Sequence, residues 1–105
     1  MARSAVVVDK DYLKHDPGKF HPERPERIRV LLDLADELDN QKFHILPPKS
    51  ANRTDVGLCH SPDYINFLES TSKTHRYALD GDTITSRDSF AVGLLAVGGF
   101  LRLLD

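Results

Sequence analysis

The fold class follows from residues 25–46, which read PERIRVLLDLADELDNQKFHIL. Proline suits the first position of a helix because its φ is already helical, and the glutamate after it adds favourable negative charge to the first turn. Apolar residues then recur at helical spacing on one face: Ile28, Leu31, Leu32, Ala35 and Leu38. We therefore predict a helix over about 25–39 and a short strand over 43–46, which the following proline pair ends.

A second short strand is predicted upstream of this helix. Residues 5–8, Ala-Val-Val-Val, form an apolar, β-branched run of the kind that is buried on both faces in a parallel sheet. Strand, helix and strand make a βαβ unit, in which the two strands run parallel. The sequence therefore predicts an α/β fold, with a βαβ unit followed by further helices.

The next helices are indicated by their start signals. Residues 61–63, Ser-Pro-Asp, combine a capping residue, a first-position proline and an acid near the positive end of a helix, and they predict a helix over 62–70. A shorter helix is expected from a cap at Thr54 through Leu58. Residues 70–86 are mostly polar and are expected to form a loop.

A last helix is predicted over 87–104, with one apolar stripe as its buried face. The stripe consists of Phe90, Leu94, Val97, Leu101 and Leu104. Gly93, Gly98 and Gly99 lower helix propensity by about 1 kcal/mol each relative to alanine. That cost is tolerable where another backbone packs closely against the helix.

Composition bounds the class of protein. A chain of 105 residues forms one domain at most, and 40% hydrophobic with 29% charged residues is typical of a globular protein. The net charge of -2 gives no reason to expect nucleic acid or a membrane surface as partner. Cys59 is the single cysteine, so an internal disulfide is excluded and a cytoplasmic location is expected. The apolar run at residues 5–8 is too short for a signal peptide or a membrane span.

Residues 9–24 form the loop where a site is expected. In open α/β sheets, ligands bind beyond the carboxyl ends of the strands, and this loop leaves the end of the first strand. Its histidines, His15 and His21, and its carboxylates raise the possibility of a small metal protein. Five residues separate the two histidines, a spacing that matches no common zinc motif, so a structural role in a proline-rigid loop is favoured.

The other histidines and the cysteine are given structural or surface roles. Cys59 is expected to be a buried packing residue, since no base is arranged to make it a nucleophile. His60 precedes a helix cap and is interpreted as structural, and His44 and His75 are expected at the surface.

Four elements of the chain together resemble the histone deacetylase superfamily, including its acetoin-utilization and acetylpolyamine amidohydrolase branches. Residues 15–18 (HDPG) and 21–28 (HPERPERI) resemble the opening loop and first helix of that family. Residues 59–65 (CHSPDYI) resemble its His-Ser-x-x-Tyr-Ile element. Asp82-Thr83, followed by Ser89 and by residues 96–99 (AVGG), resembles its Asp-Thr loop and the glycine-containing helix after it. The four elements occur in the family's order and span nearly the whole chain.

The resemblance implies an arginase/deacetylase-type parallel-sheet fold and a zinc-dependent hydrolysis of acetyl-amides such as acetyl-lysine or acetylpolyamine. Such enzymes hold one Zn²⁺ by two aspartates and a histidine, and a His-His pair transfers protons. The 105 residues contain no His-His pair, and no Asp-x-His follows the last helix. We therefore expect residues 1–105 to be a single truncated deacetylase-like domain, with no catalytic residue and no zinc ligand of its own, inactive alone.

The resemblance also implies where substrate-binding residues lie. His21 and Pro22 would wall the substrate tunnel, Arg27 would lie at its inner end near the acetate exit, and Asp82 would be the rim aspartate that holds the substrate backbone. The residues alone also allow simpler roles. Arg27 could pair with Glu23 or Glu26 on the helix surface, and Asp82 could be a turn aspartate.

Two further expectations concern function and partners. The chain is expected to be a segment of a deacetylase; the alternative function is that of a non-enzymatic binding or assembly module derived from the same fold. Two strands do not make a stable sheet, and a parallel sheet needs both faces covered. The sequence therefore predicts a homo-oligomer, with a symmetric dimer as first choice, or association with a complementing catalytic segment, and neither a nucleic acid nor a membrane as partner.

Overall fold

The computed structural model describes residues 4–104 and has the α/β architecture that the sequence predicts. Its strands and helices follow in the order β1 (Ser4–Val7), α1 (Glu26–Glu37), β2 (Phe43–Leu46), α2 (Arg53–Val56), α3 (Pro62–Ser70), β3 (Arg76–Ala78), β4 (Ile84–Ser86) and α4 (Ser89–Leu104). Two 3-10 helices, Lys10–Lys14 and Thr71–Lys73, lie between them. No helix within 4–104 is long and apolar enough to cross a lipid bilayer.

The parallel strand pair is confirmed. β1 pairs directly with β2 in parallel, with Ser4 opposite Phe43 and Val7 opposite Leu46. The bounds of β2 agree with the prediction, whereas β1 begins and ends one residue earlier than predicted, so Val8 lies outside it. The helix between the strands completes the βαβ unit.

α3 begins at its predicted residue, α1 begins one residue and α4 two residues later than predicted, and the cap of α2 is a correction. Ser61 caps α3, because its hydroxyl accepts a hydrogen bond from the backbone N–H of Tyr64 at 3.2 Å. The cap of α2 is Asn52 and not Thr54, and the helix ends at Val56. The Asn52 side chain accepts from the N–H of Asp55 at 2.9 Å, and the Asp55 carboxylate accepts from the N–H of Asn52 at 3.1 Å. This reciprocal pair satisfies two N–H groups, which Thr54, two residues further along inside the helix, cannot do.

The segment predicted as a loop over 70–86 contains a hairpin. Strands β3 and β4 pair antiparallel, with Tyr77 opposite Thr85. Each strand has three residues, and all three residues of β3 are exposed. Strands of three residues are too short to show apolar alternation, so the pattern of the sequence does not reveal them.

The glycines of α4 allow a neighbouring backbone to pack against the helix. A Cβ on Gly98 would fall 1.5 Å from the carbonyl oxygen of Lys49, and one on Gly99 would fall 2.8 Å from Cγ1 of Val7. The N–H of Ala51 donates to the carbonyl of Leu94 at 2.9 Å across the same contact. The predicted close approach of another backbone is therefore present at Gly98, whereas the close neighbours of Gly99 are side chains and Gly93 has none within 4 Å.

The stripe predicted to be the buried face of α4 is only partly buried. Phe90 and Leu94 are half-buried, whereas Val97, Leu101 and Leu104 are exposed. The most buried positions of the helix are its two adjacent glycines, because residues 47–51 cross there. The prediction of a continuous apolar buried stripe is therefore wrong over the second half of the helix.

Candidate functional site

The loop after β1 meets the tip of the β3–β4 hairpin through one histidine. Nε2 of His21 lies 2.6 Å from the backbone carbonyl oxygen of Asp82, 61 residues further along the chain. Nδ1 of the same ring lies 3.0 Å from the backbone N–H of Glu23, from which it accepts a hydrogen bond. Because Nδ1 accepts, the ring proton is on Nε2, and the Nε2–H donates to the Asp82 carbonyl.

This contact closes one side of an open surface cavity of about 650 Å³. His21, Pro22 and Asp82 all line it, so three of the four residues predicted to contact substrate are brought together. Phe20 and Glu23 also line the cavity, and neither was a predicted site residue. Lys19 adds a positive charge at the same cavity. The cavity is therefore mixed in character, with apolar walls and charges of both signs at its edge.

Arg27, the fourth predicted residue, lies outside the group that lines the cavity. Its guanidinium forms an exposed ion pair with the carboxylate of Glu23, one turn earlier. Glu23 itself lines the cavity, so Arg27 reaches the cavity wall through that carboxylate. This pairing is one of the two surface contacts expected from the sequence.

The hairpin tip that carries Asp82 is a tight polar turn. The Asp80 carboxylate accepts from the backbone N–H of Asp82 at 2.8 Å. This hydrogen bond, together with one from the Thr83 hydroxyl, lowers the pKa of Asp80, because both bonds favour the charged carboxylate. The turn therefore presents the exposed Asp82 side chain at the cavity, whereas the Asp80 carboxylate accepts hydrogen bonds within the turn.

A glycine gives the loop after β1 its sharp bend. Gly18 has a φ of +119°, a conformation that residues with a Cβ rarely adopt. Its N–H donates to the Asp16 carboxylate at 3.0 Å, and its carbonyl accepts from the N–H of His21 at 3.3 Å. The bend therefore places His21 against the hairpin.

An arginine of the hairpin holds the base of the same loop. Nε of Arg76 donates to the carbonyl of Asp16 at 3.1 Å, and its Nη2 lies 3.4 Å from the Asp16 carboxylate. The loop after β1 and the hairpin are thus joined at two levels, by Asp16 with Arg76 and by His21 with Asp82.

A partly buried polar network joins the loop to the start of α4. Nδ1 of His15 lies 2.6 Å from the hydroxyl of Ser89, which also accepts from the N–H of Ser86 at 2.7 Å. The Ser86 hydroxyl accepts from the N–H of Asp16 at 3.1 Å. Burial lowers the pKa of His15, because desolvation penalises the imidazolium more than the neighbouring Asp16 carboxylate stabilises it. The family resemblance includes Ser89 without a role, and nothing in the sequence singles out Ser86. The two serines lie 74 and 70 residues from their partners His15 and Asp16.

The remaining histidines and the cysteine lie at the surface. Cys59 is exposed, so its predicted burial is wrong: α2 ends at Val56, and the turn after it points outward. The ring of His60 packs against that of Tyr64, with centroids 5.4 Å apart. His44 and His75 are exposed, as predicted. Within residues 4–104 no three or more His, Cys, Asp or Glu side chains converge in a group that could hold a metal ion.

Several known proteins are similar to this chain in sequence or in fold. The chain is 34% identical to a probable deacetylase of Archaeoglobus fulgidus, over 94% of this chain and 28% of that protein. It is 32% identical to the acetoin utilization protein AcuC of Staphylococcus xylosus, over 97% of this chain and 29% of that protein. The crystal structure of the HDA15 HD domain superposes with a TM-score of 0.79 at 22% identity, over 93% of this chain and 30% of that domain.

The chain therefore spans about a third of the length of the curated relatives that it matches. The sequence pattern of the histone deacetylase domain matches residues 21–105. That range includes the first helix, the hairpin and α4 as well as all four predicted substrate-binding residues. The chain belongs to the histone deacetylase domain family.

Proposed function

We propose that this chain provides the substrate-contacting rim of a zinc-dependent deacetylase that hydrolyses acetyl-amides such as acetyl-lysine or acetylpolyamines in the cytoplasm. The observation that carries the proposal is the hydrogen bond from His21 to the Asp82 carbonyl. It joins two family elements 61 residues apart into one cavity wall. The name of the archaeal relative, a probable deacetylase, supports the reaction class.

The residues of the rim have distinct roles in this proposal. The exposed Asp82 carboxylate accepts hydrogen bonds from substrate N–H groups, an interaction strengthened by its charge. His21 and Pro22 form a wall, and both ring nitrogens of His21 already have partners, so its role is to position the wall. Arg27 acts through Glu23, its partner in an exposed ion pair, which lines the cavity.

The residues present do not fit a zinc ion. A catalytic zinc requires three protein ligands and an open position, and within 4–104 no such set of side chains converges. The sequence also lacks a pair of adjacent histidines. We therefore propose that zinc and the proton-transfer groups belong to other segments of the domain, and that this chain alone neither binds zinc stoichiometrically nor hydrolyses acetyl-amides.

A covalent graft tests the function directly. The matching segment of the archaeal relative is replaced by this chain, and hydrolysis of an acetyl-lysine peptide and of an acetylated polyamine is measured. Asp82→Ala should lower kcat/KM about tenfold to a hundredfold, because a hydrogen bond to a charged group is worth about 1.5–3 kcal/mol. Asp36→Ala removes an equally exposed carboxylate from α1 and should leave kcat/KM unchanged.

The outcome of the graft separates an enzyme part from an assembly module. Hydrolysis that depends on Asp82 supports the rim role. A graft that folds and retains zinc but hydrolyses neither substrate would refute the proposed function and favour a binding module. Equal activity of the Asp82→Ala and Asp36→Ala grafts would remove Asp82 from substrate binding.

A further inference from the structure

One cross-strand pair of the β3–β4 hairpin holds a single residue of the loop after β1. Arg76 of β3 lies opposite Ser86 of β4, so their side chains leave the same face of the hairpin. The Ser86 hydroxyl accepts from the backbone N–H of Asp16 at 3.1 Å. Nε of Arg76 donates to the backbone carbonyl of Asp16 at 3.1 Å, and Nη2 lies 3.4 Å from its carboxylate. The hairpin therefore binds the N–H, the carbonyl and the side chain of Asp16.

Asp16 stands immediately before a continuous segment of the cavity wall. Residues 17–21 all line the cavity of about 650 Å³, whereas Asp16 and Arg76 lie outside the group of residues that line it. The far end of the segment is held at the hairpin tip, where His21 bonds to the Asp82 carbonyl. The wall is thus a five-residue bridge that the hairpin fixes at both ends, and one of the two fixing points lies outside the cavity.

The bend between the two ends links the position of Asp16 to that of His21. The Asp16 carboxylate accepts from the N–H of Gly18 at 3.0 Å, and the Gly18 carbonyl accepts from the N–H of His21 at 3.3 Å. A Cβ on Gly18 would lie 4.0 Å from Nε of Arg76, so the arginine side chain runs alongside the bend. A displacement of Asp16 therefore moves the turn that carries the imidazole.

The guanidinium of Arg76 has a partner at each of its three nitrogens. Besides the two contacts with Asp16, Nη1 donates to Nε2 of His75 at 3.3 Å. A planar fork holds the carbonyl and the carboxylate of Asp16 at once, which the single ammonium of a lysine on its flexible stem does not. The side chains of Arg76 and Asp16 are 37% and 48% exposed, so the ion pair adds little to global stability. Its contribution is therefore to the geometry of the loop.

We propose that Arg76 is a positioning residue of the deacetylase rim. Through Nε and Nη2 it fixes Asp16, Asp16 fixes the bend at Gly18, and the bend holds the His21 ring against the hairpin tip. Arg76 does not touch the substrate, and it acts on how tightly the cavity wall binds it. The effect on substrate rests on the proposed function, whereas the effect on the bend is a property of this chain alone.

Amide hydrogen exchange, measured by NMR on the full chain, tests the positioning. The informative amides are those of Gly18, His21 and Glu23, whose acceptors lie along the bend. In Arg76→Gln we expect all three to exchange at least fivefold faster than in the parent chain. The amide of Ile65, which donates within α3, should stay within twofold, because a general loss of stability would accelerate it as well.

Two further variants separate the fork from the charge. Arg76→Lys keeps the positive charge but cannot hold both acceptors of Asp16, so the amides along the bend should still exchange at least threefold faster. Arg53→Gln removes an ion pair with Glu69 of similar exposure, 48% and 54%, that joins α2 to α3. It should leave the amides along the bend unchanged.

The graft into the archaeal relative tests the consequence for substrate. In that graft Arg76→Gln should raise KM for an acetyl-lysine peptide at least fivefold and leave kcat within twofold. The reason is that a loosened wall weakens the binding of substrate and transition state alike. Arg53→Gln should change neither constant.

The possible results separate positioning from activity. Faster exchange along the bend together with an inactive parent graft supports the positioning role and contradicts the proposed function. Parent-like exchange in Arg76→Gln, or full recovery in Arg76→Lys, overturns the inference. So does an Ile65 amide accelerated as much as those of the bend, or an unchanged KM in an active graft. Unfolding of both Arg76 variants, with Arg53→Gln folded, would make the role one of general stability and overturn it too.

Discussion

Replacing Gly98 by alanine should destabilise the protein, although alanine is the better helix former. The new Cβ would lie 1.5 Å from the Lys49 carbonyl oxygen and 2.7 Å from the Ala51 nitrogen, both backbone atoms. Forcing this segment away is overpacking, which costs about 1–3 kcal/mol. It also breaks the hydrogen bond from Ala51 to the Leu94 carbonyl, worth about 1 kcal/mol. The gain in helix propensity is about 1 kcal/mol, so a net loss of about 2 kcal/mol is expected.

Gly93, in the same helix, is the matched control. A Cβ there meets nothing within 4 Å, so Gly93→Ala should raise the free energy of unfolding by about 1 kcal/mol. Urea unfolding followed by circular dichroism measures both variants against the parent chain. The free energies of unfolding of the two variants should change in opposite directions and differ by about 3 kcal/mol. A Gly98→Ala variant as stable as Gly93→Ala would refute the close contact between α4 and residues 49–51.

Three smaller predictions concern the loops and caps. Gly18→Ala should destabilise by at least about 1–2 kcal/mol in urea unfolding, because φ is +119°; no change would contradict the bend. His15 has a folded-state pKa below its value of 6.5 in the unfolded chain, so the unfolded state takes up the proton first and stability is lost as pH falls below 6.5. In His15→Gln the urea concentration at the unfolding midpoint should fall less steeply as the pH drops below 6.5. In His44→Gln, at an exposed position, it should fall as steeply as in the parent chain. Asn52→Ala should lower the free energy of unfolding by about 1 kcal/mol and Thr54→Ala by much less, and equal effects would contradict the assigned cap.

The elements that could be predicted are those whose signals are local. The β1–β2 pairing follows from two apolar runs that flank an amphipathic helix, and α3 follows from the residues around its cap. The exposed second half of α4 could not be predicted, because apolar periodicity shows which residues share a face and not which face a neighbour covers. That choice depends on the backbone at Lys49, which approaches Gly98 from a distant part of the chain.

The candidate site was predictable through family resemblance and only in part from physics. The resemblance points to His21, Pro22, Arg27 and Asp82, and the structure places all of them except Arg27 around one cavity. The contact itself, from an imidazole to the backbone carbonyl of Asp82, has no sequence signal. The Ser86–Ser89 network that holds His15 has none either, since serines are common in turns and at helix starts.

The cavity wall differs from the exposed apolar faces of α1 and α4 in the forces that act on it. Polar contacts hold the wall, because His21 bonds to the Asp82 backbone and Arg76 bonds to Asp16, 60 residues away. These bonds form within this chain and need no further segment. The exposed apolar faces of α1 and α4 would add to stability only if another surface covered them, by about 25 cal/mol per Å² of apolar area removed from water. The chain therefore holds the cavity wall through its own polar contacts, whereas the apolar side chains that α1 and α4 expose contribute little to its stability.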